Sequence, residues 1–408
     1  MRPLILLCCA LLLSGCLGRQ KWQGGTLANP ELIAREISPA LVANDDPLAA
    51  APYIEAPQHL RPCCAFGSGL GVSLGTMPLP GVEIANTIDL SELGLHTYDN
   101  GTVAFETGRP GASLINFESN GLVYTCRGGF IDTAHLRDWA DWTLFLYSRV
   151  SRMLDTGGII ELPPEAGVRR IVLQAVPKKT IAAYGRKQLA VPLAQWLAFQ
   201  LSVWHEIATW YGWAALEMFS EKASSFSPED LYSNLLGIKL AGILIYDNSV
   251  GSELLYNEAM NNAIPNLLMR LGAVDEEIAK AAAKSVDGVW WDSKVTLPNA
   301  NLVIRRNMDI RTTIVPWLAT LATPEREPDA PLVATCGRTP QPVGLRNPNT
   351  FDGVPFRKRA TVEIDVQADL AERMQLAAPH VTQEDFPKLI QRIAVEAKAA
   401  FGPNFDQP

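Results

Sequence analysis

The stretch LSVWHEIATWYGW, Leu201 to Trp213, sets an adjacent His205 and Glu206 inside a run of tryptophans and aliphatic residues. Imidazole and carboxylate are the usual groups for moving protons and for ligating divalent metals. On a helix, the neighbours of His205 at three, four and seven residues are Ala198, Leu201, Ser202, Ala208, Thr209 and Gly212, nearly all small. The opposite side carries Trp196, Phe199, Trp204, Ile207 and Trp210. Such a lean polar strip reads either as the seat of a closely approaching helix or as the floor of a cavity. Either one buries the Glu206 carboxylate, which then needs a cation, a metal or a raised pKa. HEIAT departs from the zinc-protease pattern H-E-x-x-H, because Thr209 stands where the second histidine is required. A metal here would need a ligand from another element.

That ligand is expected to be His135, in CRGGFIDTAHLRDWADW. It falls in the first helical turn, where the helix dipole disfavours imidazolium and favours the neutral ring of a ligand or base. Asp132, Asp138 and Asp141 flank it, and the two glycines before it could let the backbone approach a ligand. A plainer reading makes the acids caps and His135 a turn-bonding residue. A third segment, SFSPEDLYSNLLG, places Asp230, Asn234 and Gly237 on one helix face. Ser227 with Asp230 resembles a capping box, but Asn234 is poorly suited to mid-helix unless its amide has a partner. The expected site therefore has Glu206 as general base, His205 and His135 as acid–base groups or ligands of a divalent metal such as zinc, and Asp132, Asp138, Asp230 and Asn234 as orienting groups.

These residues require long helices. The spacing predicts one from Asp132, its N-cap, to about Leu154, and another from about Val191 to Trp213. A third starts at Ser227-Pro228, a fourth spans Glu253 to Leu271 with a kink near Pro265, and a fifth covers Asp275 to Lys284. GGIIELP and RRIVLQAVP read as a hairpin, and ATVEIDV as a later strand before a final helix from Thr382 to Phe401. The expected fold is α+β: a single globular domain over 61–408, predominantly helical in its core, with short strands and long irregular loops. Within it, 61–130 is strand and loop, 131–320 the helical core, 322–357 a Pro-rich loop and 360–401 the closing strand and helix.

The first residues, MRPLILLCCALLLSGC, have one arginine and an apolar run too short to span a bilayer. They read as a lipoprotein signal peptide over 1–15, with Leu13-Ser14-Gly15-Cys16 as the lipobox and Cys16 the lipidated residue. Residues 16–60 then read as the lipidated cysteine and a flexible tether. Leu17, rather than aspartate, follows the cysteine, which points to the outer membrane, facing the periplasm. In that oxidising compartment the four further cysteines, Cys63, Cys64, Cys126 and Cys336, permit two disulfides. A bond between adjacent cysteines is strained, so Cys63 and Cys64 are expected to reach Cys126 and Cys336 in either order. The competing reading leaves Cys126 a free nucleophile.

Behind a lipobox, YTCRGGFIDTAHLRDWADW, WHEIATWYGW and FSPEDLYSNLLG resemble the bacterial lipoproteins grouped as domain of unknown function 4056. The resemblance spans most of the mature chain. It implies a location and supplies no mechanism.

A net charge of −8 and the lack of a long basic run argue against nucleic-acid binding. The expected partners are a bilayer, through the acyl chains, and peptidoglycan or envelope proteins. Two functions fit. One is a hydrolase acting on an envelope substrate, with a His/Glu, metal-assisted site. The other is a non-catalytic lipoprotein that binds a partner or the cell wall, in which the His/Glu pair is a buried structural network.

Overall fold

The computed structural model describes residues 51–408 apart from 62–65, 69, 75–76, 85, 106–117, 215–220, 298–299, 322–326 and 352. The signal peptide, Cys16, most of the tether, Cys63 and Cys64 lie outside the described residues. The fold is α+β. Its helices are α1 (Thr133–Met153), α2 (Lys178–Tyr184), α3 (Arg186–Trp210), α4 (Asp230–Tyr246), α5 (Glu253–Arg270), α6 (Glu276–Ser285), α7 (Ala330–Cys336), α8 (Ala368–Arg373) and α9 (Phe386–Phe401). None among the described residues is long and apolar enough to cross a membrane.

Helices α1, α3 and α4 pack on one another and form the centre of the domain. Helix α4 is buried on nearly every side, which its LYSNLLGIKLAGILIY sequence permits because the chain is apolar all round. It approaches α1 closely through small residues. The Ser233 hydroxyl accepts the Asp132 N–H at 2.9 Å. A Cβ on Gly237 would lie 1.9 Å from the Leu136 carbonyl oxygen.

One four-stranded antiparallel sheet lies beside this centre, with strands in the order His380–Thr382, Ala360–Val366, Gly167–Leu173, Gly158–Leu162. Alternation along Ala360–Val366 turns Val362 and Ile364 inward. The same alternation along Gly167–Leu173 turns Arg169 and Ile171 inward, so an arginine enters the core. A second hairpin, Leu122–Thr125 with Gly129–Asp132, leads directly into α1. Gly129, at φ +67°, makes its turn and lies so close to the Trp317 carbonyl that no side chain fits. The other glycine of this turn, Gly128, is hemmed in by the side chains of Thr125, Leu271 and Ile131.

Several boundaries differ from the sequence expectation. The end of the supposed tether belongs to the folded body: Ala51, Ile54 and Leu60 are buried, and His59–Leu60 pairs with Val103–Ala104. Its anchors are backbone carbonyls of Ala51 and Pro52, bonded by Arg152 and Ser148, which leave no apolar period to read. Helix α3 begins at Arg186, after Gly185 at φ 85°, and runs through Pro192. Helix α4 begins at Asp230 rather than at Ser227. Helix α5 continues through Pro265 as one helix. The last helix begins at Phe386, because His380–Thr382 is taken into the sheet. The Pro-rich 322–357 segment contains α7 and short strands.

The cysteine pairing is also corrected. Cys126, at the hairpin turn, is bonded to Cys336, at the end of α7, with 5.1 Å between Cα atoms. Both differ from the expected bonds to Cys63 and Cys64, because α7 packs against the hairpin residues Leu122, Tyr124 and Phe130 and brings Cys336 to Cys126. Cys126 is therefore not a free thiol.

Candidate functional site

Helix α1 delivers His135 and helix α3 delivers His205 and Glu206 to one point. One ligand atom from each lies within 4.8 Å of the other two. The His135 and His205 rings stand edge to face with centroids 6.2 Å apart. All three residues are buried; the His205 side chain retains 11% of its surface and that of His135 6%. Trp139 and Trp213 close on the His205 ring at 6.4 and 5.7 Å. Trp213 is only partly buried.

Each histidine is oriented by an acid. Asp132 caps α1 by accepting the N–H groups of Ala134 and His135 at 2.7 and 3.2 Å. The His135 Nδ1 lies 3.2 Å from Asp230 Oδ1 and 3.8 Å from Asp132 Oδ2. Asp230 is itself fixed by the Ser227 N–H and hydroxyl at 2.6 and 2.9 Å, the reciprocal half of a capping box. The His205 Nδ1 lies 2.6 Å from Glu165 Oε1. Glu165 sits in the turn of the Gly158–Leu173 hairpin, and its other oxygen is held by Arg169. This pairing makes Glu165 an acceptor, so the His205 Nδ1 donates and Nε2 is the ring nitrogen left for the site.

Glu206 is held by backbone. Its Oε2 accepts the Phe226 N–H at 2.7 Å, while Oε1 is buried without a hydrogen-bond partner among the described residues. Phe226 has φ +54°, costly for an aromatic residue, and this conformation aims its N–H at the carboxylate. Behind it, Arg306 donates to the Ser225 and Val303 carbonyls at 2.7 and 2.8 Å and feels the charges of Asp230, Glu206 and Glu229.

Burial dominates the electrostatics. It raises the Glu206 carboxyl well above the usual range, and the neighbouring Asp230 charge adds to the effect. It raises Glu229 in the same way. Burial lowers Arg306 to about 10 despite the nearby acids. Burial also opposes charge on His205, but Glu165 outweighs it and lifts the imidazole to about 9.

The structure thus brings together His135, His205, Glu206, Asp132 and Asp230. Asp138 is elsewhere: its carboxylate receives the Arg61 backbone N–H and guanidinium at 3.1 and 2.7 Å, so it does not orient either histidine. Asn234 is fully buried in α4, and neither its amide nitrogen nor its oxygen has a hydrogen-bond partner among the described residues. Glu165, Arg169, Phe226 and Arg306 escaped sequence reasoning. GVRRIVL offers no decisive alternation, since both of its faces mix arginine with aliphatic residues.

A family model described as a protein of unknown function (DUF4056) matches residues 51–320, and the chain belongs to that family. No curated protein matches the chain, and no solved structure does.

Proposed function

We propose that this DUF4056 protein is an envelope lipoprotein, anchored through Cys16 to the outer membrane and facing the periplasm, whose domain is a hydrolase of an envelope substrate. The observation that carries the catalytic reading is the convergence of His135, His205 and Glu206 at one point from two helices. A carboxyl raised by burial is, in its ionised form, a stronger base than an exposed glutamate and suits taking a proton from an attacking water. An imidazolium fixed by Glu165 suits returning a proton to the leaving group. His135, oriented by Asp132 and Asp230, completes the polar wall against which charge would develop. Peptidoglycan, lipid and peptide are the substrate classes of that compartment.

The test is incubation of the purified full-length chain with isolated peptidoglycan, phospholipid and peptide, with products read by mass spectrometry. Glu206→Gln is expected to cut turnover by about 10²–10⁴-fold. It should leave the melting temperature unchanged or raised, because its amide can donate where Oε1 is unpaired and relieve the repulsion from Asp230. Absence of product from the unmodified chain on all three substrates, or equal turnover by the variant, would refute the catalytic role.

The near-complete burial of the three side chains favours a second reading, a non-catalytic lipoprotein in which they fix helix packing. That reading gains if Glu206→Gln melts at markedly lower temperature and cells carrying it show no envelope defect beyond that loss of stability.

The anchor rests on the sequence Leu13-Ser14-Gly15-Cys16. Fatty-acid labelling of the chain in cells is expected, and Cys16→Ala should abolish it. Label that persists in the variant would show that Cys16 is not the acylated residue.

A further inference from the structure

The geometry points to a divalent transition metal of the zinc class, held by His135, His205 and Glu206 as a two-histidine, one-carboxylate centre. The inference deepens the hydrolase reading and rests on the same site. It changes two roles, since Glu206 becomes a metal ligand as well as a candidate base, and His205 becomes a neutral ligand in place of the proton donor.

Three observations support it. The first is the donor set. Two imidazoles and a carboxylate are the ligands of many catalytic zinc sites, which leave a position open for water. The donor atoms lie within 4.8 Å of one another. Tetrahedral zinc, with bonds of about 2.0–2.2 Å, would bring them to roughly 3.5 Å apart. The gap to be closed is about an ångström.

The second is the outer shell. A metal-bound histidine usually donates its other ring N–H to a carboxylate, which fixes the tautomer and strengthens the ligand. His205 does this to Glu165, and Arg169 locks Glu165 in turn. A structural histidine in a helix core has no need of a buried arginine–glutamate pair to hold its ring.

The third is the unused oxygen of Glu206. A buried carboxylate oxygen with no donor among the described residues costs free energy unless a cation faces it. Around the site, Asp132, Glu165, Glu206, Glu229 and Asp230 are buried, and Arg169 and Arg306 are the buried arginines among the described residues that face them. A divalent ion at this point would face the unpartnered Glu206 Oε1, with both rings binding it in their neutral form.

The full-length chain, solubilised in detergent and stripped with a chelator, would be titrated with zinc by calorimetry and, separately, with cobalt by visible absorption. One equivalent per chain is expected, with cobalt ligand-field bands of a four- or five-coordinate site and a zinc-dependent rise in melting temperature. His205→Ala, His135→Ala and Glu206→Gln should each weaken binding at least 100-fold, and Glu165→Gln about 10–100-fold. Circular dichroism would confirm that each stripped variant is folded. Asp138→Asn, outside the donor set, should bind as the parent does.

Absence of stoichiometric zinc and cobalt binding by the folded parent would overturn the inference. So would unchanged affinity in the histidine variants or in Glu206→Gln. The outcome is separable from that of the hydrolase reading. Tight stoichiometric metal without turnover sustains the centre and removes the enzyme, whereas turnover by a chain that binds neither zinc nor cobalt sustains the enzyme and removes the centre.

Discussion

Arg61→Leu is expected to destabilise the domain by about 3–5 kcal/mol, the cost of removing one partner from a buried ionic network. Arg61 is 4% exposed and binds three acids. Its guanidinium donates to Glu118, to Asp138 at 2.7 Å and to Asp141 at 2.9 Å, and also to the Thr97 carbonyl at 2.8 Å. Asp141 accepts a further bond from the Tyr256 hydroxyl at 2.9 Å, and the His96 Nε2 lies 3.2 Å away. Without the Arg61 guanidinium, Arg137 is the remaining arginine at Glu118, and Asp138 keeps only its bond to the backbone N–H of residue 61. Leucine fills part of the volume but leaves the carboxylates buried. The loss would be read as a fall in the urea midpoint; a change below about 1 kcal/mol would show that the network relaxes into water.

The same network gives the pH dependence a sign. Burial would raise Glu118, but Arg61 and Arg137 outweigh it and hold its carboxyl at about 2. The folded pKa is depressed, so this stabilisation is present above the unfolded value of about 4.3 and is lost as pH falls through about 2. Asp141 and Glu165 shift in the same direction. Asp138 moves the other way: burial lifts it to about 7, so its contribution is present at low pH and is lost as pH rises through that value. Urea midpoints should therefore fall steeply between pH 4.5 and 2, and less steeply in Glu118→Gln. An identical acid limb in parent and variant would count against Glu118 as a source of it.

Arg61 also shows where the sequence stops being legible. It stands at the end of a segment with no apolar period, and its partners come from a loop and from α1. Nothing local marks it. The helices were readable because their signals are local: Asp132 caps α1, and apolar spacing runs through 133–153. Half of the candidate site was readable for the same reason, since His135, His205 and Glu206 sit on strongly patterned helices. Glu165 and Arg169 were not, because the register of the Gly158–Leu173 hairpin and the packing of its turn on α3 place them. The cysteine count suggested disulfides, but only the packing of α7 beside Cys126 decides the pairing. Asp138 shows the limit of proximity in sequence, for it lies three residues from His135 and serves a different cluster.

Gly237→Ala tests the remaining assumption, that the site depends on how closely α1 and α4 approach. Helix propensity alone favours alanine over glycine by about 1 kcal/mol in a helix interior. Here the added carbon would lie 1.9 Å from the Leu136 carbonyl oxygen and 2.7 Å from its carbon, both backbone atoms of α1. A side chain could rotate away, but a helix backbone cannot, so the two helices must separate. Overpacking of this kind costs typically 1–3 kcal/mol and occasionally more, and a net loss of about 3 kcal/mol is expected. The strain falls beside the site: Leu136 follows His135, and Asp230 lies two turns before Gly237 on α4. Separation would lengthen the His135–Asp230 contact of 3.2 Å and should weaken zinc binding about tenfold along with stability. Gly251→Ala is the control, because its Cβ would meet a single atom, Leu255 Cδ1, at an ordinary 3.7 Å. It should change the urea midpoint by less than about 0.5 kcal/mol equivalent. A Gly237→Ala protein as stable as the parent would mean that α1 and α4 have room between them. The small residues of α4 would then owe nothing to the placement of His135.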